Sequence, residues 1–212
     1  LGVFALALGV GFHGGLDAAG ALLYYVVLLS VLCLLATRAM YPIAAAGKAL
    51  TFRQFARGAA PAQVVAASTQ SSLATLPAMI DAAQESFRLP TGIVGLVLPL
   101  AVSLFRVSTA VANLAAAIFV AALYGVALSP VQLATGALVS FATSIGSVGV
   151  SSQVSYFFGV MPICLAMGLP VEVLALLLAV EVLPDIFRTI CNVTADLAVT
   201  VLLGRERRAA AR

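Results

Sequence analysis

Charge is what this sequence has least of: 11 Lys and Arg with 8 Asp and Glu make up 9% of 212 residues, where soluble domains carry about 25%. With 63% hydrophobic residues and a mean hydropathy of +1.15, this excludes a water-soluble globule and leaves a polytopic membrane protein. Histidine occurs once, as His13 in a Gly-rich stretch, so neither a His-based hydrolase nor a His-rich metal site has residues to build on. Cysteine occurs three times. Cys33, Cys164 and Cys191 are scattered through apolar sequence, without a close pair or a neighbouring His, and read as structural filler. An initiator Met and the basic start of a signal peptide are also lacking. Leu1 lies inside an apolar run, and the chain reads as the later portion of a longer protein. The modest basic excess, with a pI near 9.0, reads as membrane topology rather than nucleic-acid binding, because several acids are embedded in apolar sequence.

What is there falls into segments. Leu1 to Phe12 is too short to cross a bilayer and reads as the end of a truncated helix. A loop, GFHGGLDAAG, follows with no Lys or Arg. Leu22 to Ala46 is long enough to span, and Arg38, Lys48, Arg53 and Arg57 assign its end to the cytoplasm. Residues 52–90 carry STQSSLATLP between two moderately apolar halves with basic residues at both ends, which predicts a re-entrant helical hairpin. Residues 91–125 are apolar but interrupted by Ser103, Arg106, Ser108 and Thr109, predicting a helix broken near mid-membrane. A second re-entrant hairpin is expected over 130–168, with SIGSVGVSSQVS at its turn, then a final helix over 171–203 and a basic tail over 205–212. On this layout every loop Lys and Arg is cytoplasmic, the external loops have none, and the C-terminus is cytoplasmic. Interrupted helices and hairpins release backbone groups that ligate substrate and ions at the membrane midplane.

The most informative stretch is EVLPDIFRTICNVTAD, residues 181–196. On a helix turning about 100° per residue, Glu181, Asp185, Arg188, Asn192 and Asp196 fall within roughly 80° of one another. Four ionised groups at a bilayer centre would cost about 10 kcal/mol or more on insertion scales. The stripe therefore faces protein, water, ions or a ligand.

Taken in order, STQSSLATLP, LPLAVSLFRVSTAVANLAAAIF, SIGSVGV and GLPVEVLALLLAVEVLPDIFRTICNVTADLA resemble the dicarboxylate/amino acid:cation symporters, the glutamate-transporter fold. The motif D-x-x-R-T-x-x-N-V-T-x-D is the most specific part. The resemblance implies an all-α polytopic membrane protein, with transmembrane helices, two re-entrant helical hairpins and a broken helix, working as an elevator in homotrimers. It implies that 1–46 hold the end of a scaffold helix and one transmembrane helix, and that 47–204 form the transport core. It implies a secondary active transporter of acidic amino acids or C4-dicarboxylates in the plasma (inner) membrane, and no enzyme. Asp185 looks like the partner of a substrate amino group and Arg188 like the holder of a side-chain carboxylate. Thr189, Asn192, Ser71, Ser72 and Thr109 complete the substrate contacts. A guanidinium presents a planar fork to a carboxylate, and a carboxylate one turn away pairs with an ammonium.

The departures bear on the coupling ion. Where the family has N-M-D-G-T, this chain has Phe105, Arg106, Val107, Ser108 and Thr109. Sodium needs oxygen ligands, and Phe and Val side chains supply none. Asn192 and Asp196, which serve a sodium site in the family, remain. Glu181 and Arg106 are further candidates for coupling, with Na+ or H+ as the ion, and no other cofactor is expected. Two other classes stand beside the transporter. One is a non-transporting member whose stripe is only structural. The other, an intramembrane enzyme, founders on Ser71 and Ser72 having neither a His nor a nearby Lys as base.

Overall fold

The computed structural model describes residues 2–46, 50–146 and 153–210, with side-chain surroundings over 19–46, 50–145 and 156–204. Among the described residues the regular structure is entirely helical. The order is α1 Gly2–Ala46, α2 Phe52–Thr69, α3 Ser72–Asp81 with a π turn Ala82–Ser86, α4 Thr91–Leu104, α5 Val107–Leu123, α6 Pro130–Gly146, α7 Gln153–Ala166, α8 Leu174–Val180 and α9 Val182–Ala210.

Three of these helical stretches are long and apolar enough to cross a membrane: Ala19–Ala46, Thr91–Leu123 and Val182–Gly204. They are used differently. In the most apolar part of the first span 22% of residues are buried within the protein, against 67% in the last, so the span that carries the charges is the one shielded from lipid. Large apolar side chains are exposed on α1 (Leu23, Leu35), α4 (Leu96, Leu100), α6 (Leu138, Phe141) and α7 (Phe158, Leu165).

The first hairpin is defined by its caps. Thr51 and Gln54 form a capping box at its entrance, with Gln54 N donating to Thr51 Oγ1 at 3.3 Å and Thr51 N to Gln54 Oε1 at 2.8 Å. At the tip Gln70 takes a left-handed conformation with φ of 51° and donates to Ala66 O, and Ser71 caps α3 by accepting from Ala74 N at 3.2 Å. A C-cap followed directly by an N-cap is how STQSS reverses the chain in two residues.

The broken helix ends at Leu104 and restarts at Val107, with Phe105 at ψ 73° and Arg106 at ψ 63°. Its halves belong to different cores. Val94, Leu98 and Val102 pack with Phe55, Met79, Phe87, Val193, Leu197 and Val201. Ala116, Ala117, Phe119 and Val120 pack with Tyr25, Leu29, Val160, Ile163, Leu174 and Leu177. The break thus sits where two hydrophobic clusters meet.

Several expectations are corrected. The loop expected at GFHGGLDAAG is helical, since α1 runs unbroken from Gly2 to Ala46. Each of its four glycines lowers helix propensity by about 1 kcal/mol relative to Ala. Flanked by apolar runs, however, the backbone satisfies its polar groups internally by staying helical. The final helix does not run unbroken from 171 to 203. It starts at Leu174, is interrupted at Glu181 and continues through Ala210, into the segment read as a tail. Pro184 accounts for the interruption, because it has no N–H to donate to Val180 O and its ring crowds that carbonyl; at the break Glu181 N donates to Leu178 O at 3.3 Å. Before residue 46, α1 packs into both clusters, with Ala44 in one and Tyr25 and Leu29 in the other. The second hairpin's turn, SIGSVGVSSQVS, lies largely outside the described residues, because 147–152 are not described.

Candidate functional site

Charge is concentrated on the first turns of α9. Long side chains on a helix point back toward its N-terminus, so Arg188 reaches Glu181, two turns earlier, as well as Asp185 one turn earlier. Its Nη2 lies 2.5 Å from Glu181 Oε1, and its Nη1 lies 3.9 Å from Asp185 Oδ1. The side chains of Arg188 and Glu181 are 7% exposed and that of Asp185 27%. A buried ion left without its partner is strongly destabilising, so Arg188 and Glu181 depend on each other. The second Glu181 oxygen accepts from Tyr25 Oη of α1 at 2.7 Å, and Tyr25 Oη lies 3.2 Å from Tyr156 Oη of α7. Tyr25 and Arg188 meet this carboxylate directly, and Tyr156 reaches it through Tyr25.

One turn below Arg188, Asn192 joins α9 to the break. Its Oδ1 accepts from Ser108 N at 3.1 Å and from Ser108 Oγ at 2.8 Å, and its Nδ2 donates to Thr109 Oγ1 at 3.3 Å. The start of α5 has no cap from its own sequence. Asn192, about eighty residues further along, supplies it. Ser108 Oγ also lies 2.8 Å from Arg188 O, so the break is fastened to the helix that carries the charges.

The sequence-predicted residues are not all brought to one place. Thr109, Asp185, Arg188 and Asn192 are brought together. Ser71 and Ser72 lie at the hairpin tip, where Ser71 serves as a cap and Ser72 is buried. That tip meets α9 through Gln70 Nε2, which donates to Val182 O at 3.1 Å. Thr189 Oγ1 donates to Asp185 O of its own helix at 2.9 Å. Asp196 lies two turns beyond Arg188, with both carboxylate oxygens buried and neither accepting a hydrogen bond among the described residues. Arg106 is close enough for its charge to act on Asp185, Asp196 and Arg188. The Asn192 oxygen accepts from Ser108 N, and the single Ser108 hydroxyl proton lies within reach of both that oxygen and Arg188 O, so the Asn192 side chain is already engaged with the break. Asp196 keeps its full acceptor capacity and fits a cation better. Sequence reasoning missed Tyr25, Tyr156, Gln70 and Ser108 as parts of the site. Only Ser108, next to Thr109 in the interrupted stretch, carried a signal that pointed to it.

An all-α membrane protein with two helical hairpins, a broken helix and a charged, buried final helix is the class these observations define. The profile described as the sodium:dicarboxylate symporter family matches residues 1–206, and the chain belongs to that family. It is 36% identical over 143 residues to excitatory amino acid transporter 3 of Mus musculus, covering 68% of this chain and 27% of that protein. It is 30% identical over 186 residues to the putative sodium-dependent excitatory amino acid transporter glt-4 of Caenorhabditis elegans, covering 88% of this chain and 35% of that protein. With excitatory amino acid transporter 2 of Homo sapiens the identity is 33% over 142 residues, 67% and 24% of the two chains. The chain thus spans between 24% and 35% of the length of these curated relatives.

Proposed function

We propose that this chain is the substrate-carrying core of a secondary active transporter, a symporter of acidic amino acids or C4-dicarboxylates with altered or reduced sodium coupling. The observation that carries the reading is Arg188, a buried guanidinium flanked by carboxylates and lying one turn from Asn192. A guanidinium matches a substrate carboxylate in shape and charge, and Asp185, the more exposed of its neighbours, suits an ammonium. The similarity to excitatory amino acid transporters supports the same substrate class.

Reduced sodium coupling is supported by the break. Phe105 and Val107 offer no oxygen, Arg106 brings a permanent positive charge to the same place, and the Asn192 oxygen is already engaged. Residues 47–204 form the transport core, with α1 packed against both of its hydrophobic clusters. Family membership supports a homotrimer in the plasma (inner) membrane, and the basic residues of 205–212 support a cytoplasmic C-terminus. Uptake of labelled aspartate, glutamate and succinate by the full-length protein in proteoliposomes tests the reading. Uptake of at least one, saturable and competed by the others, is expected. Failure to transport or bind any of them would make the stripe a structural feature of a non-transporting member.

A further inference from the structure

One carboxylate of the stripe is buried without a hydrogen bond to balance it. Asp196 lies two turns beyond Arg188 on α9, is 1% exposed, and neither of its oxygens accepts a hydrogen bond among the described residues. An ionised carboxylate in such a place needs a positive charge nearby, because desolvation without compensation is strongly destabilising. The family implies sodium as its partner, and the residues present do not fit that ion. Phe105 and Val107 bring no side-chain oxygen to the break, and the Asn192 oxygen already accepts from Ser108 N at 3.1 Å. Sodium is held by oxygen ligands, and Asp196 by itself is too few.

The fold brings a different cation to this level. Val102, near the end of α4, packs in one cluster with Val193, Leu197 and Val201 of α9, while Ser108, at the start of α5, bonds to Asn192 and to Arg188 O. The break between them therefore lies alongside the turn of α9 that runs from Asn192 to Asp196. Arg106 stands in that break with its Nε buried. Among the described residues it is the cation whose charge acts on Asp196, and the two exchange no hydrogen bond. Their attraction acts through space, across an interior where a unit charge is screened far less than in water.

We infer that the Arg106 guanidinium is a tethered counter-ion for Asp196: the chain itself supplies the positive charge that a sodium ion would bring, and the substrate site beside the break works without sodium. This rests on the transporter reading and deepens its ion coupling. A guanidinium keeps its charge at every accessible pH. Being covalently attached, it pays no association entropy and has no concentration dependence. A sodium gradient thus has nothing to act on at this carboxylate.

The pair and the transporter reading are tested so that they fail separately. Full-length protein in detergent is melted with a thiol-reactive fluorophore in sodium chloride and in choline chloride of equal concentration, and aspartate binding is titrated in both. The wild-type midpoint should agree within about 1 °C between the salts, since a sodium ion held by the native state would raise it by mass action. Aspartate affinity should agree within about twofold, because a coupled sodium site would change it by more. Arg106→Met strands Asp196 and should lower the midpoint by about 5 °C or more. Arg106→Lys, which keeps the charge, should melt closer to wild type. Adding Asp196→Asn to Arg106→Met should recover part of the loss, since a neutral amide needs no counter-charge. A wild-type midpoint or aspartate affinity that rises with sodium, or a double variant whose losses add, overturns the inference. If aspartate binds in neither salt the transporter reading fails, and the melting series still decides whether Arg106 and Asp196 form a pair. Should the Met variant not fold, the wild-type comparison between the two salts still overturns or supports the inference.

Discussion

Replacing Asn192 by Ala should unfasten the broken helix from the helix that carries the charges. The side chain is 1% exposed and makes three hydrogen bonds, to Ser108 N, Ser108 Oγ and Thr109 Oγ1. At about 0.5–1.5 kcal/mol net for each, their loss comes to about 1.5–4.5 kcal/mol. The orphaned Ser108 N–H at the start of α5 adds to this, because no other cap is present there. For a chain of this size about 2–4 °C accompanies each kcal/mol, so the midpoint of thermal unfolding should fall by roughly 3–18 °C. Thr109→Val, which removes one of the three bonds, should lower it by only about a third as much. The chain has no Trp to report unfolding, but Cys33, Cys164 and Cys191 are buried free thiols. A thiol-reactive fluorophore in detergent therefore reads exposure of the core directly. If Asn192→Ala melts within about 1 °C of Thr109→Val, Asn192 does not cap α5 and the argument for its engaged oxygen falls with it.

Arg188→Ala should weaken aspartate binding by roughly 10- to 150-fold, the equivalent of about 1.5–3 kcal/mol for a charge-assisted pair; a folded variant with wild-type affinity in a binding titration would sink the carboxylate assignment. Asp185→Ser should lose aspartate while keeping or gaining succinate in competition assays, and equal weakening of both ligands would make Asp185 structural. The combined change Phe105→Asn, Arg106→Met and Val107→Asp restores oxygen ligands to the break and removes its fixed cation, so uptake should gain sodium dependence; an unchanged sodium response would separate the break from ion coupling. Gly58→Ala should destabilise by about 1–3 kcal/mol because the new methyl meets the Phe87 ring, itself stacked on Phe55, whereas Gly95→Ala, with open space around it, should be neutral or stabilising by up to about 1 kcal/mol in the same thermal assay.

The helical class, the break in the third apolar stretch and the charged stripe were legible because each depends on local rules. Hydropathy sets which segments can enter a bilayer, and a fixed rotation per residue puts 181, 185, 188, 192 and 196 on one face whatever they pack against. The tip of the first hairpin was legible for the same reason, since Gln70 and Ser71 act through the backbone of their own neighbours. Composition misled at GFHGGLDAAG, where glycines suggested a loop and the continuous hydrogen bonding of an apolar helix prevailed.

Partner choice was decided by tertiary structure alone. The spacing pairs Arg188 with Asp185 at i, i+3, yet its close partner is Glu181, reached because the side chain leans back along α9 to the interruption at Glu181. Tyr25 and Tyr156 were invisible as site residues, since only the packing of α1 and α7 against the α8–α9 junction brings their hydroxyls to Glu181. Asn192 was legible as a polar residue on the stripe, but its task as the cap of a helix some eighty residues away was not. By itself the sequence determined that a row of charges must be shielded within the membrane, because solvation cost depends on residue type and helical period. Which neighbouring helices and hydroxyls meet that row depends on contacts between residues 80 to 156 positions apart, and only the folded chain supplies those.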